Sequence, residues 1–102
     1  MKYNVIQGDT FCLKVIVEIG IELIDKVYFS STQLNIEEEL IEINENENTY
    51  WLLKLSSETT NGFKRGVSTF DITTILKDGS TKTVVHNGNL TVYSKGNPIN
   101  GN

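Results

Sequence analysis

An all-β fold is predicted from three observations. Apolar residues recur at alternate positions over short runs, the period of a strand with one buried face. Turn signals such as Asp78-Gly79 punctuate the runs roughly every ten residues. The chain has 102 residues, 38% of them hydrophobic and 22% charged, which suits one globular domain with a modest core. Together these predict an immunoglobulin-like antiparallel β-sandwich of about seven strands with one short helical turn. A small antiparallel barrel is the alternative. The sandwich is expected over residues 1–94, with a loose tail over 95–102 that lacks core residues.

The elements follow in order. Val5 and Ile6 are separated from the next apolar run by the polar knot Gln7-Gly8-Asp9-Thr10. The knot reads as a corner between strands, with Gly8 for the backbone angle and Asp9 and Thr10 bonding nearby amides. From Phe11 to Ile19 every odd position is apolar, which predicts a half-buried strand with the odd residues inward. Ile24 to Ser31 is the next strand, with Val27 and Phe29 on one face and Tyr28 on the other. Leu34 to Ile43 fits two states: Ile36, Leu40 and Ile43 have helical spacing, yet a strand bulged near Glu38-Glu39 fits as well. Strand neighbours on both sides favour the strand.

Thr49 to Leu55 places Trp51, Leu53 and Leu55 on one face. A helical turn is expected over Ser56 to Asn61, capped by Ser56 or Ser57 and ended at Gly62. Val67 to Lys77 sets Phe70, Ile72 and Leu76 on one side. Asp78-Gly79 then predicts a hairpin with a two-residue turn of positive φ. Strands over Thr81 to Val85 and Asn89 to Tyr93 complete the set. Between them Asn87-Gly88 marks either a second hairpin turn or a bulge within one long strand.

Composition narrows the function. A net charge of −4 gives no basic patch for nucleic acid and no pull toward anionic lipid. No apolar run reaches the roughly 18 residues of a spanning helix, and no secretion signal opens the chain. The lone Cys12 cannot form an internal disulfide. Cys12 and the lone His86 are too few for a zinc site and, without a placed partner, read as coincidence rather than a nucleophile and base. No phosphate-binding or calcium-loop pattern is present, so no cofactor or metal is expected. The glutamates Glu37, Glu38, Glu39, Glu42, Glu45 and Glu47 read as a solvated edge. Lys64-Arg65-Gly66 reads as a plain polar loop. Tyr50 and Trp51 are the candidate binding pair, able to stack on a sugar, though Trp51 also suits the core.

Several pieces in this order, VIQGDTFCLKVIV, VYFSS and YWLLKLSSETTNGFKRGVSTFDITTILKDGSTKTVVHNGNLTV, resemble immunoglobulin-like domains of phage and prophage tail proteins. The similarity is to the N-terminal domain of baseplate upper proteins. It rests on Gly8 and Asp9 of the corner and on Leu55, Thr60 and Gly66. It continues through Phe70, Asp71 and Ile72, the Asp78-Gly79 hairpin, and Gly88, Leu90 and Val92. These motif residues are structural, so the resemblance implies no enzyme. It implies a virion protein, assembled in the bacterial cytoplasm, that docks other phage structural proteins or further copies of itself in the tail or baseplate. Baseplate upper proteins continue past this domain, whereas this chain ends at Asn102, which implies a standalone accessory protein or one that attaches by its edge strands. A carbohydrate-binding module using Tyr50 and Trp51 is the alternative function.

Overall fold

The computed structural model describes residues 1–95. Apart from Lys95, the tail predicted over 95–102 lies outside them. Eight strands are found among the described residues: β1 (Lys2–Ile6), β2 (Phe11–Val15), β3 (Ile24–Ser31), β4 (Ile36–Glu39), β5 (Ile41–Glu45), β6 (Asn48–Leu55), β7 (Gly66–Leu76) and β8 (Thr81–Tyr93). A 3-10 turn over Ile21–Leu23 precedes β3, and a short helix α1 (Ser57–Asn61) precedes β7. The strands form two sheets, a five-stranded one in the order β1-β8-β7-β3-β4 and a three-stranded one in the order β2-β6-β5. The all-β, sandwich-like architecture is therefore as the alternation predicts.

Three details differ from the sequence reading, and one that it left open is decided. First, the pairing is not wholly antiparallel: β1 runs parallel to β8, from Lys2 opposite Asn89 to Ile6 opposite Tyr93. β1 and β8 are not joined by a hairpin, so nothing in the connection forces them antiparallel. Second, the strand begun at Phe11 ends at Val15 rather than Ile19. There the chain leaves the three-stranded sheet to reach β3, while Val17 and Ile19 still pack against the core. Third, Leu34 to Ile43 is extended, but it breaks at Leu40 instead of bulging at Glu38-Glu39. Leu40 is 2% exposed, its N–H donates to Val27 O at 2.8 Å, and the chain switches sheets there. Burying that one side chain while re-aiming the backbone is what separates β4 from β5. Last, residues 81–93 make one strand, so of the two readings of Asn87-Gly88 the bulge holds.

The core is filled from both sheets. Val5, Val27, Phe29, Phe70, Ile72, Leu90 and Val92 come from the larger sheet, and Leu13, Val15, Trp51, Leu53 and Leu55 from the smaller. Side chains of this kind contribute roughly 1.5–3 kcal/mol each when fully buried. The rings of Phe29 and Phe70 stack at 5.0 Å, and Tyr3 links Phe70 (6.0 Å) to Phe11 of the opposite sheet (6.4 Å). Phe70 lies over Gly88, its partner in the register. A Cβ on Gly88 would stand 2.5 Å from Phe70 Cζ. Gly88 is thus required by close approach, not by a turn. Opposite Asp71 the last strand carries an extra residue, with Phe70 facing Gly88 and Ile72 facing Val85. Asn87 takes φ 56° there, and its N–H donates to Asp71 Oδ1 at 2.9 Å.

Two crossings between the sheets meet at one residue. The corner after β1 is a turn in which Asp9 N–H donates to Ile6 O (3.0 Å) and Gly8 has φ 86°. Gly8 N–H donates to Thr60 Oγ1 (3.1 Å), and the Thr60 hydroxyl donates to Asp9 O (2.6 Å). Gln7 Nε2 donates to Phe63 O (2.7 Å), joining the same corner to the segment after α1. Ser56 caps α1 by accepting from Thr59 N–H (3.2 Å), and Gly62 closes it. Thr74, on the inner face of β7, is as fully buried as Thr60, yet its hydroxyl has no partner.

The two threonines are expected to respond oppositely to the same change. Thr60→Val removes the buried hydroxyl that joins Gly8 N–H and Asp9 O and should lower the unfolding free energy by about 2 kcal/mol, whereas Thr74→Val removes an unmatched hydroxyl and should raise it by about 1 kcal/mol. Urea denaturation of both variants checks the signs. Gly88→Ala should cost about 2 kcal/mol by overpacking Phe70. Combined with Phe70→Leu, its cost should shrink, so that the double variant is more stable than the added single losses.

Candidate functional site

The residues singled out in the sequence do not gather at one place. Gly8, Asp9 and Thr60 form the inter-sheet corner. Gly66 opens β7 opposite Val92. Asp71 and Gly88 belong to the bulge of β8. Asp78 and Gly79 form the distal hairpin. Each of these positions serves the backbone path.

The Asp78-Gly79 hairpin is present, but its loop has three residues rather than two. Gly79 N–H donates to Leu76 O (2.9 Å), and Leu76 N–H donates to Ser80 O (2.8 Å). Of the loop residues only Gly79 has positive φ, 89°. This is a tight turn followed by a left-handed glycine, a bulged hairpin. Asp78 is better used outside the left-handed region, where its Oδ1 accepts from Ser80 Oγ (2.6 Å) and Ser80 N–H (2.9 Å). The hydroxyl bond first, and the amide bond second, hold its carboxyl below the ordinary 3.8. The two-residue turn of positive φ lies elsewhere, at Asn46 (50°) and Glu47 (65°) between β5 and β6.

Trp51, the candidate sugar-stacking residue, is 4% exposed and packs within the core, which leaves no ring face for a ligand. Tyr50 stays on the outer face, with Lys14 Nζ 4.3 Å from its ring centroid. Cys12 is exposed on β2 of the smaller sheet, and His86 lies on β8 of the larger one. His86 Nδ1 is 3.2 Å from Asp71 Oδ1, an exposed pair beside the bulge. Close by, Ser30, Thr32, Gln33, Thr69, Asp71 and Asn87 line a shallow polar recess of about 180 Å³ on the outer face of the larger sheet. Asp71 already accepts from Asn87 there, and Thr69 donates to Gln33 Oε1 at 3.1 Å. The six glutamates from Glu37 to Glu47 lie on β4, on β5 and in the turn after β5, all exposed. Among the described residues no three His, Cys, Asp or Glu side chains are placed to share a metal ion.

What sequence reasoning missed is the outer face of the smaller sheet. In register, Ile41 stands opposite Leu52 and Ile43 opposite Tyr50. Leu52 also stands opposite Lys14 of β2. These residues alternate with the buried Trp51, Leu53 and Leu55, so they point away from the core. Ile41 is 53% exposed, and Ile16, just past β2, is 67% exposed. The signal was the unbroken apolar run Tyr50 to Leu53, in which both parities are apolar. A strand with one wet face does not need that, and such runs mark strands covered on both sides.

No family model, curated protein or solved structure matches the chain.

A pH titration tests the hairpin. The folded Asp78 carboxyl is depressed, so its contribution is fully present above the unfolded pKa and is lost as pH falls through the folded one. Carboxyl NMR should give a midpoint below 3.8 for Asp78, and Ser80→Ala should return it toward that value.

Proposed function

We propose that this chain is a structural or accessory protein of a phage or prophage virion, built on an immunoglobulin-like sandwich. It acts as a protein–protein docking module in the tail or baseplate, without catalysis of its own. The observation that carries the reading is the apolar outer face of the three-stranded sheet, with Ile16 and Ile41 more than half exposed. Exposed apolar surface of that kind marks contact with another macromolecule. Both flanking strands, β2 and β5, are sheet edges, so the face has open backbone on either side. The motif residues of the phage tail resemblance also support it, because Gly8, Asp9, Thr60, Asp71, Gly79 and Gly88 serve the corner, the bulge and the hairpin. They set the shape of a scaffold and need no ligand. The carbohydrate-binding alternative rested on Tyr50 and Trp51, and burial of the Trp51 ring removes its main contact.

Particles purified from a lysate of cells carrying the coding sequence provide the test. Mass spectrometry should find this chain in the particles at a fixed ratio to the other tail proteins. A chain that stays in the soluble fraction, absent from intact particles, would sink the virion assignment.

A further inference from the structure

We propose that the outer face of the three-stranded sheet is a self-association surface that takes a second copy of this chain across a two-fold axis. The inference deepens the docking reading by naming the face and the occupant. It does not depend on the virion assignment.

The contrast between the two outer faces identifies the surface. An antiparallel sheet with one wet side shows polar residues there. The larger sheet shows Ser30, Thr69, Asp71 and Thr73 outward, alternating with buried Phe29, Phe70 and Ile72, and its outward apolar residues Val67 and Ile75 stand singly, opposite Thr91 and Thr81. The smaller sheet differs. Its outward positions hold Ile41, Ile43, Tyr50 and Leu52, with Ile16 just beyond β2. Both sheets belong to one small domain, so water alone does not explain the difference.

Charge selects the occupant. Outward on the β2 and β6 side stand Lys14 and Lys54, and outward at the far end of β5 stands Glu45. The apolar residues lie between Lys54 at one end and Glu45 at the other, with Lys14 among them, opposite Leu52 and over the Tyr50 ring. A two-fold contact places each patch against the same patch of the partner, so a face with opposite charges at opposite corners complements itself. The glutamate-bearing β4–β5 edge lacks this property: no lysine or arginine lies between Lys26 and Lys54, and two copies meeting through that edge would repel. The face offers about ten outward side chains, against roughly 20–30 residues a side in a standard stable interface. The association is therefore expected to be reversible and to follow concentration.

Sedimentation velocity on the full 102-residue chain tests this, over roughly 10 μM to 1 mM. The expected result is a monomer–dimer equilibrium. Ile41→Glu and, separately, Ile16→Glu should each raise the dissociation constant at least about tenfold, since each would set a carboxylate against apolar side chains of the partner. Both side chains are exposed, so the melting temperatures of the two variants should stay near that of the parent. Lys54→Glu and Glu45→Lys should each weaken the dimer, and the two together should restore it. A chain that remains monomeric to about 1 mM, a dimer untouched by both isoleucine changes, or a double charge swap that restores nothing would each overturn the proposal. A dimer absent from particles would refute the virion role and leave this inference standing. A monomer found within particles would do the reverse.

Discussion

The hydroxyl of Thr60 sits where the chain twice passes from one sheet to the other. Two sheets share no backbone hydrogen bonds, so their relative placement depends on side-chain packing and on the crossings that tie them. Thr60 accepts from Gly8 and donates to Asp9, joining the crossing after β1 to the crossing that contains α1. A buried hydroxyl costs free energy unless matched, and that of Thr60 is matched by both groups of the corner. The rest follows from that joint. β1 enters beside β8 because the corner holds its end there, and Gln7 N–H donates to Tyr93 O at 2.9 Å. With β1 in place, Tyr3 extends the aromatic contacts from Phe70 to Phe11 and so from one sheet to the other.

Much of this could be read from the residues because burial on a strand has period two. The inward sets of β2, β6 and β7 were legible in Leu13 and Val15, in Trp51, Leu53 and Leu55, and in Phe70 and Ile72. The cap of α1 was legible in Ser56, and the distal hairpin in Asp78-Gly79. What was not legible depends on geometry that alternation does not encode. Strand direction leaves no mark on hydropathy, which hid the parallel pair. Helical spacing groups Ile43 with Ile36 and Leu40, but in the strands even positions face inward on both sides of Leu40, so Ile43 stands on the outer face opposite Tyr50. The turn at Asn46-Glu47 contains a glutamate at φ 65°, a residue that gives no turn signal. On the outer face of the smaller sheet, Tyr50 was read as one of a pair with Trp51, whereas in register it stands opposite Ile43.

The distribution of charge separates the two sides of the molecule. Six of the thirteen acidic residues fall between Glu37 and Glu47, along the edge where β4 hands over to β5. Like charges on an edge discourage uncontrolled strand pairing, the standing hazard of open sheets. The opposite edge carries Lys2 on β1 and Lys14 on β2, beside the apolar face. The acid of this molecule is thus concentrated along one edge, and basic side chains stand along the other.

The β7–β8 hairpin has a further consequence. Residues 77–84 are all exposed, and a side chain on Gly79 would meet nothing within 4 Å. That tip lies beyond the part of the strands that fills the core, so extra residues spliced in beside Gly79 disturb neither the Thr60 joint nor the Phe70 packing. The molecule therefore carries a natural mounting point, where a reporter peptide or affinity tag can be displayed internally while both chain termini are left untouched.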